Sequence, residues 1–477
     1  MTGNKNLKIG QGIGIRKTED TPCILAIMAL LCMGIFLGCG PKIPDIEPPV
    51  SSPEAFSYSG SEVMPDRWWT AFEDESLNVL VDSALANNLD LAVIWQQFKA
   101  AEAVAKREGA NLYPQIDASA QSAISRPEPD FAGGENVQLG LGASYEFDLW
   151  GRIRTAVQAE KFRATASLED YRAAAISLSA ELVLTWYRLV TAKNQLALAE
   201  EQIATNQNII RLIRARFGSG QVRAVDILRQ SQLLENTKDQ RIVFATNVRL
   251  LENQLSILLG NPPVNNYPEA ETDFPRLPEI PSTGLPLELV RRRPDVRSAY
   301  DRLLAADMDM ASAVKNKYPR LTARLSGQLR ANDFQGLFQN WAYSLGGNLL
   351  APLLYGGRLR AEVDRNEAVK NQQLYGYGQT VLVAFREVED ALVQETNQKE
   401  RIEILGRQLE LADKTNRQLR LEFLNGISPY LDVLLALDQE QQLRRDMIEA
   451  ESEQLEIRVA LYRALAGGFE TEETVVP

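Results

Sequence analysis

Residues 137–149 alternate between apolar side chains and polar or small ones, with a period of two residues. Such alternation predicts a β-strand with one apolar and one polar face. Shorter alternations predict three more strands, at about 116–125, 321–329 and 342–350. Amphipathic strands of about ten residues are typical of a transmembrane β-barrel, although a half-buried sheet of a soluble core has the same pattern. Four strands cannot close a barrel, because even small barrels have eight, so a barrel would be shared between chains.

Two longer stretches, 151–217 and 357–423, contain no proline and little glycine. Each predicts a helix of roughly 100 Å at 1.5 Å per residue. A seven-residue apolar repeat in the first stretch predicts a coiled coil. Its members are Leu182, Leu189, Leu196, Ile203, Ile210 and Phe217, with Ala192 and Ala199 at the other seam position. A glycine turn follows, and a second seven-residue series begins at Ile227, so each half predicts an antiparallel helical hairpin.

The chain is a tandem duplication. A shift of 206 residues superposes similar residues along both halves, and a shift of 205 does so ahead of the strands. The superposed pairs include Gly151 with Gly357, Glu181 with Glu387, Phe217 with Phe423, Gly220 with Gly426, Asp226 with Asp432 and, at 205, Tyr113-Pro114 with Tyr318-Pro319. The repeats are predicted at 67–260 and 285–466, with a proline-rich linker at 261–284 between them and a tail at 467–477. The predicted fold class is mainly α with a contribution to a transmembrane β-barrel.

The N-terminus has the features of an export signal. Basic residues precede an apolar run at 23–37 that is shorter than the roughly twenty residues of a spanning helix, so 1–38 predict a signal peptide. The junction Gly38-Cys39 resembles the lipobox of bacterial lipoproteins, although Phe36 and Leu37 depart from its usual residues, and it implies lipidation, such as with palmitate, at Cys39. Residues 39–66 are rich in proline and predict an extended, unpaired tether.

Composition narrows the chemistry further. The formal charge of −12 disfavours nucleic acid as a partner, because no basic surface is available to neutralise phosphates. The chain has no histidine, the commonest general base and zinc ligand, so an enzyme or a metal site is disfavoured. No catalytic, cofactor-binding or metal residue is predicted. All three cysteines lie at or before position 39, which leaves no disulfide framework.

Several segments resemble the outer membrane factor family of TolC-like ducts, and in particular its NodT-type lipoprotein branch. They are Trp68-Trp69 with Phe72, Asn88-Leu89-Asp90-Leu91, residues 145–152, Arg293-Pro294-Asp295-Val296, Gly356-Gly357-Arg358, residues 387–392 and residues 461–465. Together with the duplication they cover nearly the whole predicted mature chain.

The resemblance implies a homotrimer whose twelve strands form one barrel and whose helices form a periplasmic tunnel. It implies a passive, non-enzymatic duct in the outer membrane, lipid-anchored, with a periplasmic adaptor and an inner-membrane pump of the RND type as partners. Export of small molecules such as drugs or metals is the expected function. A duct for type I protein secretion and a non-conducting coiled-coil lipoprotein of the envelope are the alternatives.

Two kinds of site follow from the hairpin plan. The tips around Gly220 and Gly426 lie at the ends farthest from the predicted strands, and they are candidates for contact with the adaptor. The resemblance places a periplasmic gate acid at Asp432, and its repeat mate Asp226 is a second candidate for the gate. The family's second gate acid is replaced by Leu435. Asp432 is equally explained as a helix-start residue, with Ser428 as the N-cap and Pro429 at the first helical position.

Overall fold

The computed structural model describes residues 46–124, 135–263, 274–331 and 335–466. They form two compact units. The strands lie in one unit, within 111–155 and 311–359, and most of the helical residues lie in the other, within 45–110, 156–310 and 360–477. The predicted signal peptide, Cys39 and the C-terminal tail fall outside the described residues.

The sheet unit contains one antiparallel sheet of four strands in the order β1-β2-β3-β4. The strands are β1 (Gln115–Ile124), β2 (Glu135–Phe147), β3 (Arg320–Ala331) and β4 (Trp341–Leu350), each within two residues of its predicted bounds. Gln115 lies opposite Ser144, and Arg320 lies opposite Leu350. These two pairs are related by shifts of 205 and 206, so the sequence duplication is also present in the strand register.

Asp148 directs the chain from β2 into the next helix. Its carboxylate accepts hydrogen bonds from the backbone N–H groups of Ile153 and Arg154, both at 2.9 Å. These donors lie at the helix N-terminus, where they have no partner within the helix. Gly151, with φ of +72°, makes the sharp turn in between, and a side chain there would be strained.

The described residues also form eight α-helices and two short 3-10 helices, Trp68–Phe72 and Ala110–Leu112. The α-helices are α1 (Glu75–Asn87), α2 (Leu89–Gly109), α3 (Arg152–Gly218), α4 (Ala224–Leu258), α5 (Pro286–Arg292), α6 (Pro294–Lys315), α7 (Arg358–Leu424) and α8 (Tyr430–Leu465). One window of α3 is apolar enough to cross a membrane by length and composition, but 61% of it is buried within the structure, as in the core helix of a bundle. The predicted mainly helical fold with amphipathic strands is confirmed.

The buried seam of α3 departs from the predicted seven-residue series. Leu182 and Leu189 are fully buried as predicted, but Phe217 is 47% exposed, so the series is wrong at its end. From the middle of the helix the buried positions are Gln195, Ala199, Gln202, Asn206, Ile209, Ile210 and Ile213, of which only Ile210 belongs to the predicted seven-residue series. Polar amides occupy three of these positions. A search for apolar residues at seven-residue spacing therefore selects a neighbouring line of residues on the helix instead of the buried seam.

The segment predicted as an unpaired tether is extended, but it is paired and packed over its described part. Gly60 donates a backbone hydrogen bond to Pro281 O at 3.2 Å, and Ser282 donates one to Glu62 O at 2.7 Å. Phe56 is buried against Phe385, with ring centroids 6.3 Å apart. Proline limits β-pairing but leaves the residues between prolines free to donate and pack, and this is why composition alone misjudged the segment.

Candidate functional site

The two faces of the sheet differ in chemistry. Because successive side chains of a strand point to opposite faces, the pairing register sorts them without ambiguity. One face is apolar and exposed in the single chain, with Leu141 62% and Leu345 76% exposed. The opposite face carries Asp117, Ser119, Gln121, Gln138, Arg324, Ser326, Gln328, Ser344 and Asn348. Such a sheet can contact hydrocarbon on one side and water on the other.

The two predicted tips have the same turn. In the first, Gly220 has φ of +76° and donates to Phe217 O at 2.9 Å, and the next residue donates to Arg216 O at 2.9 Å. In the second, Gly426 has φ of +74° and donates to Phe423 O at 3.1 Å. A Cβ added at either glycine would meet no atom within 4 Å. The glycines are therefore required by their positive φ, and the surface above them is open.

The structure brings the two tips together around one cavity of about 690 Å³. Arg216 of α3 spans it. The guanidinium group lies 5.1 Å from the centroid of the Phe423 ring and donates to the carbonyl oxygens of Phe423 and Leu424, both at 3.3 Å. These carbonyls end α7 and lack partners within the helix, so a cation there also complements the helix dipole.

Asp226 is buried and fully engaged. Its side chain belongs to a residue that is 3% exposed. The carboxylate accepts one hydrogen bond from the backbone N–H of Arg223 at 3.2 Å and another from the guanidinium group of Arg223 at 3.1 Å. The hydrogen bond to Asp226 raises the pKa of Arg223. This arrangement fixes the start of α4, since the carboxylate satisfies a backbone donor that the helix leaves unpaired.

Asp432 differs from its repeat mate. It is partly buried in the first turn of α8, and its carboxylate makes no hydrogen bond or ion pair within the described residues. Leu435 on the same turn is 59% exposed. The predicted cap is wrong, because the N-cap is Pro429 and the hydroxyl of Ser428 instead donates to Glu422 Oε2 at 2.6 Å. That hydrogen bond is the main cause of a lowered pKa at Glu422.

A buried polar network joins α8 to the first hairpin, and sequence reasoning missed it. Tyr430 donates to Gln230 Oε1 at 2.5 Å, and Gln230 donates to Asn206 Oδ1 at 3.0 Å. Asn206, which is fully buried, also donates to Thr237 and to Gln441. Burial, and after it the Asp226 carboxylate, raises the pKa of Tyr430, which keeps the hydroxyl protonated as a donor. The available signal was amides at coiled-coil seam spacing.

Metal-type clusters are absent from the described part of the chain: no group of three or more His, Cys, Asp or Glu residues could hold an ion there. The basic run 291–293 ends one helix and precedes another, and Arg293 is buried, with ion pairs to Asp295 at 2.7 Å and Glu387 at 2.8 Å. These are contacts within the packed helices.

Comparison with known proteins gives the same architecture over nearly the whole chain. The sequence profile described as "Outer membrane efflux protein" matches residues 80–261 and 285–467, one match in each repeat. The "Pyoverdine export outer membrane protein OpmQ" of Pseudomonas putida is 30% identical over 462 residues, with 91% of this chain and 96% of that protein covered. The "Cation efflux system protein CusC" of Escherichia coli is 26% identical, with 92% and 98% covered.

Solved structures agree with the fold. A crystal structure of CusC superposes with a TM-score of 0.82 at 25% identity, over 89% of this chain and 99% of that one. The outer-membrane channel OprN superposes with a TM-score of 0.81 at 27% identity, over 90% and 99%.

Proposed function

The chain belongs to the outer membrane efflux protein family, and from this premise we propose that it works as a homotrimer whose three sheets close one barrel. It is the outer-membrane channel component of an efflux system. The observation that supports the trimer is the sheet itself. Each of its four strands has an apolar and a polar face, but the outer strands β1 and β4 have only one paired neighbour each among the described strands, and an open edge cannot remain unpaired in hydrocarbon.

Two measurements test this proposal: conductance in planar bilayers and heat-modifiable migration on gels. Two adjacent residues of β4 provide a matched pair, since Leu345 lies on the apolar face and Ser344 on the polar one. We expect Leu345→Arg to prevent insertion, because a lipid-facing arginine costs about 2 to 4 kcal/mol at the bilayer midplane for each copy. Ser344→Arg should still insert and conduct. Equal insertion of both variants would contradict the proposed lipid face.

We propose small molecules as the exported class. The relatives named above are described by pyoverdine export and by cation efflux. A duct for protein secretion remains the alternative. An export assay in a strain lacking the native channel distinguishes them: restored resistance to dyes, metals or drugs, without restored secretion of a type I protein substrate, supports the proposal, and the reverse result refutes it.

The tips are proposed as the contact for a periplasmic adaptor that links the channel to an inner-membrane pump of the RND type. Gly220 and Gly426 present open surface at matching turns. Replacing both by valine should abolish adaptor cross-linking and export, since side chains would fill that surface and strain the positive φ. Gly406 lies in mid-α7 and provides the control, as Gly406→Ala. Unchanged cross-linking in the tip variant would exclude the tips.

Cys39 is proposed as the lipid anchor, on the sequence argument given above. Cys39→Ala should lose incorporation of labelled palmitate, whereas Cys32→Ala should keep it. Labelling of the Cys39→Ala protein would refute the assignment.

Asp432 is proposed as a gate residue. Its carboxylate has no hydrogen-bond partner among the described residues, whereas that of Asp226 accepts the backbone N–H of Arg223.

A further inference from the structure

The polar face of the sheet has more basic than acidic side chains, although the whole chain has a formal charge of −12. Within the described strands, the pairing register places Arg320, Arg324 and Arg330 on this face, against the acids Asp117 and Glu146. The surface that would line a water-filled barrel therefore differs in the sign of its charge from the chain as a whole.

Contacts within the chain show which of these charges are compensated. Glu146 forms an ion pair with Arg152 at 2.9 Å, so a residue outside the strands neutralises this acid. Arg320 donates to the neutral side chain of Asn316 at 2.8 Å and keeps its charge. Arg324 is exposed, and its guanidinium group makes no hydrogen bond or ion pair with any described residue. Within the described chain, Arg324 is therefore left free to attract solutes.

The surroundings of Arg324 leave room for its long side chain. Arg324 lies opposite Ser144 on β2 and opposite Gly346 on β4, and neither neighbour is charged. A Cβ added at Gly346 would meet no atom within 4 Å, so the space beside the arginine is open. The guanidinium group is therefore accessible to solutes that pass along this face of the sheet.

Asp117, the other acid of this face, does not pair with Arg324. Asp117 lies opposite Gly142, and Gly142 lies opposite Ser326. Arg324 is thus two strands across and two residues along the sheet, with its Cα atom about 12 Å from that of Asp117 at the usual strand spacing and rise. Exposed charges are largely screened beyond about 8 to 10 Å at an ionic strength of about 0.1 to 0.15 M. The carboxylate of Asp117 therefore weakens the field of the arginine only slightly.

We propose that Arg324 is a specificity-determining residue of the channel and favours anionic cargo, such as organic molecules with carboxylate groups. This inference rests on the proposed barrel, in which three copies of Arg324 would face one water-filled interior. Rings of arginine select anions in pores, and the low-dielectric wall around a pore strengthens their field. A guanidinium group also presents N–H donors in a plane that matches a carboxylate. The repeat mate of Arg324 is Ser119, so only the second repeat supplies a cation at this position.

Reversal potentials of single channels in a KCl gradient test this assignment in the full-length protein. We expect Arg324→Gln to lower the ratio of chloride to potassium permeability by about two-fold or more, because three unit charges leave the pore wall. Arg324→Lys should keep the ratio near that of wild type, since it keeps the charge. Asp117→Asn should raise the ratio, because it removes an acid from the same face. Asp432 is unchanged in all of these proteins, so its contribution is the same throughout.

A variant that adds charge covers the case in which Arg324→Gln does not insert into the bilayer. Ser119 lies on the polar face of β1, and Ser119→Arg gives the first repeat the arginine of the second. This variant should raise the ratio of chloride to potassium permeability. An unchanged ratio would overturn the proposal, because an arginine at the matching position would then have no effect on permeating anions.

The results also separate this inference from the proposed function. A conducting Arg324→Gln channel with the permeability ratio of wild type overturns the role of Arg324 and leaves the channel function standing. Equal losses in Arg324→Gln and Arg324→Lys overturn it as well, since charge would then not be the cause. If the unmodified protein forms no conducting channel in bilayers, the proposed barrel fails, and this inference fails with it.

Discussion

At the first hairpin tip Arg223 precedes Asp226, whereas at the second tip Pro429 precedes Asp432 at the same spacing. The N–H group and the guanidinium group of Arg223 both bind Asp226, which is buried. Proline has no N–H group and no charge, so the equivalent carboxylate has neither donor. One substitution between the repeats thus changes an acid that starts a helix into an acid that is available for other contacts.

Repeat mates also differ in their side-chain contacts at the ends of other helices and strands. Arg216 spans the tip cavity to the carbonyl ends of α7, and its mate, Glu422, receives the hydroxyl of Ser428 instead. Trp150 covers the junction of the two sheet halves, and its mate is Gly356. The two repeats therefore keep the same backbone turns and strand register. The side chains at the ends of their helices and strands differ, and these side chains determine which contacts form within the chain.

The largest change in the free energy of unfolding is expected when a residue of the buried polar network is replaced by the residue at the matching position of the other repeat. The mate of Asn206 is Ala412. Asn206→Ala would leave the buried amide N–H groups of Gln230 and Gln441 without their shared acceptor, Asn206 Oδ1, and should lower the free energy of unfolding by about 2 to 4 kcal/mol. Urea unfolding in detergent measures it. Asn208→Ala, on the exposed side of the same helix, should change it by less than about 0.5 kcal/mol.

A smaller effect is expected at the two acids. Asp226→Ala removes the cap of α4 and should lower the free energy of unfolding by about 1 kcal/mol. Asp432→Ala should have less effect on unfolding, because no hydrogen bond of its side chain is lost among the described residues. Arg223→Pro, the residue of the second repeat, should lower stability in the same direction as Asp226→Ala. Equal stability losses at both acids would remove the contrast between the tips.

The gate assignment reverses that order for conductance. Three Asp432 carboxylates near a common axis would repel one another and attract cations, so Asp432→Asn should alter the response of single-channel conductance to pH and divalent cations. Asp226→Asn should not. If Asp432→Asn leaves both responses as in wild type, Asp432 is a structural residue of α8.

The smallest effect concerns pH. Burial, and after it the neighbouring Glu169, raises the pKa of Asp301 to about 6, against a partial opposing effect of Arg297. The repeat mate of Asp301 at the shift of 205 is the neutral Gln96. The unfolded chain ionises first, near pH 4, so the native state loses stability between about pH 4 and pH 6 and the loss is constant above that range. Melting temperatures of wild type relative to Asp301→Gln should fall across this interval; a constant difference would contradict it.

The sequence by itself determined the strands, the long helices and the duplication, because a period of two, the absence of proline and a constant shift are properties of the chain before it packs. It also located both tip turns, since Gly220 and Gly426 are required by positive φ. The tertiary structure alone decided the rest. Amides replaced Leu-type residues in the seam of α3, as at Asn206, because their partners lie on α4 and α8, far away in sequence. Asp226 and Asp432 hold matching places in the duplication and differ in the residue three positions earlier, but only the folded structure shows that Arg223 donates to the buried carboxylate of Asp226.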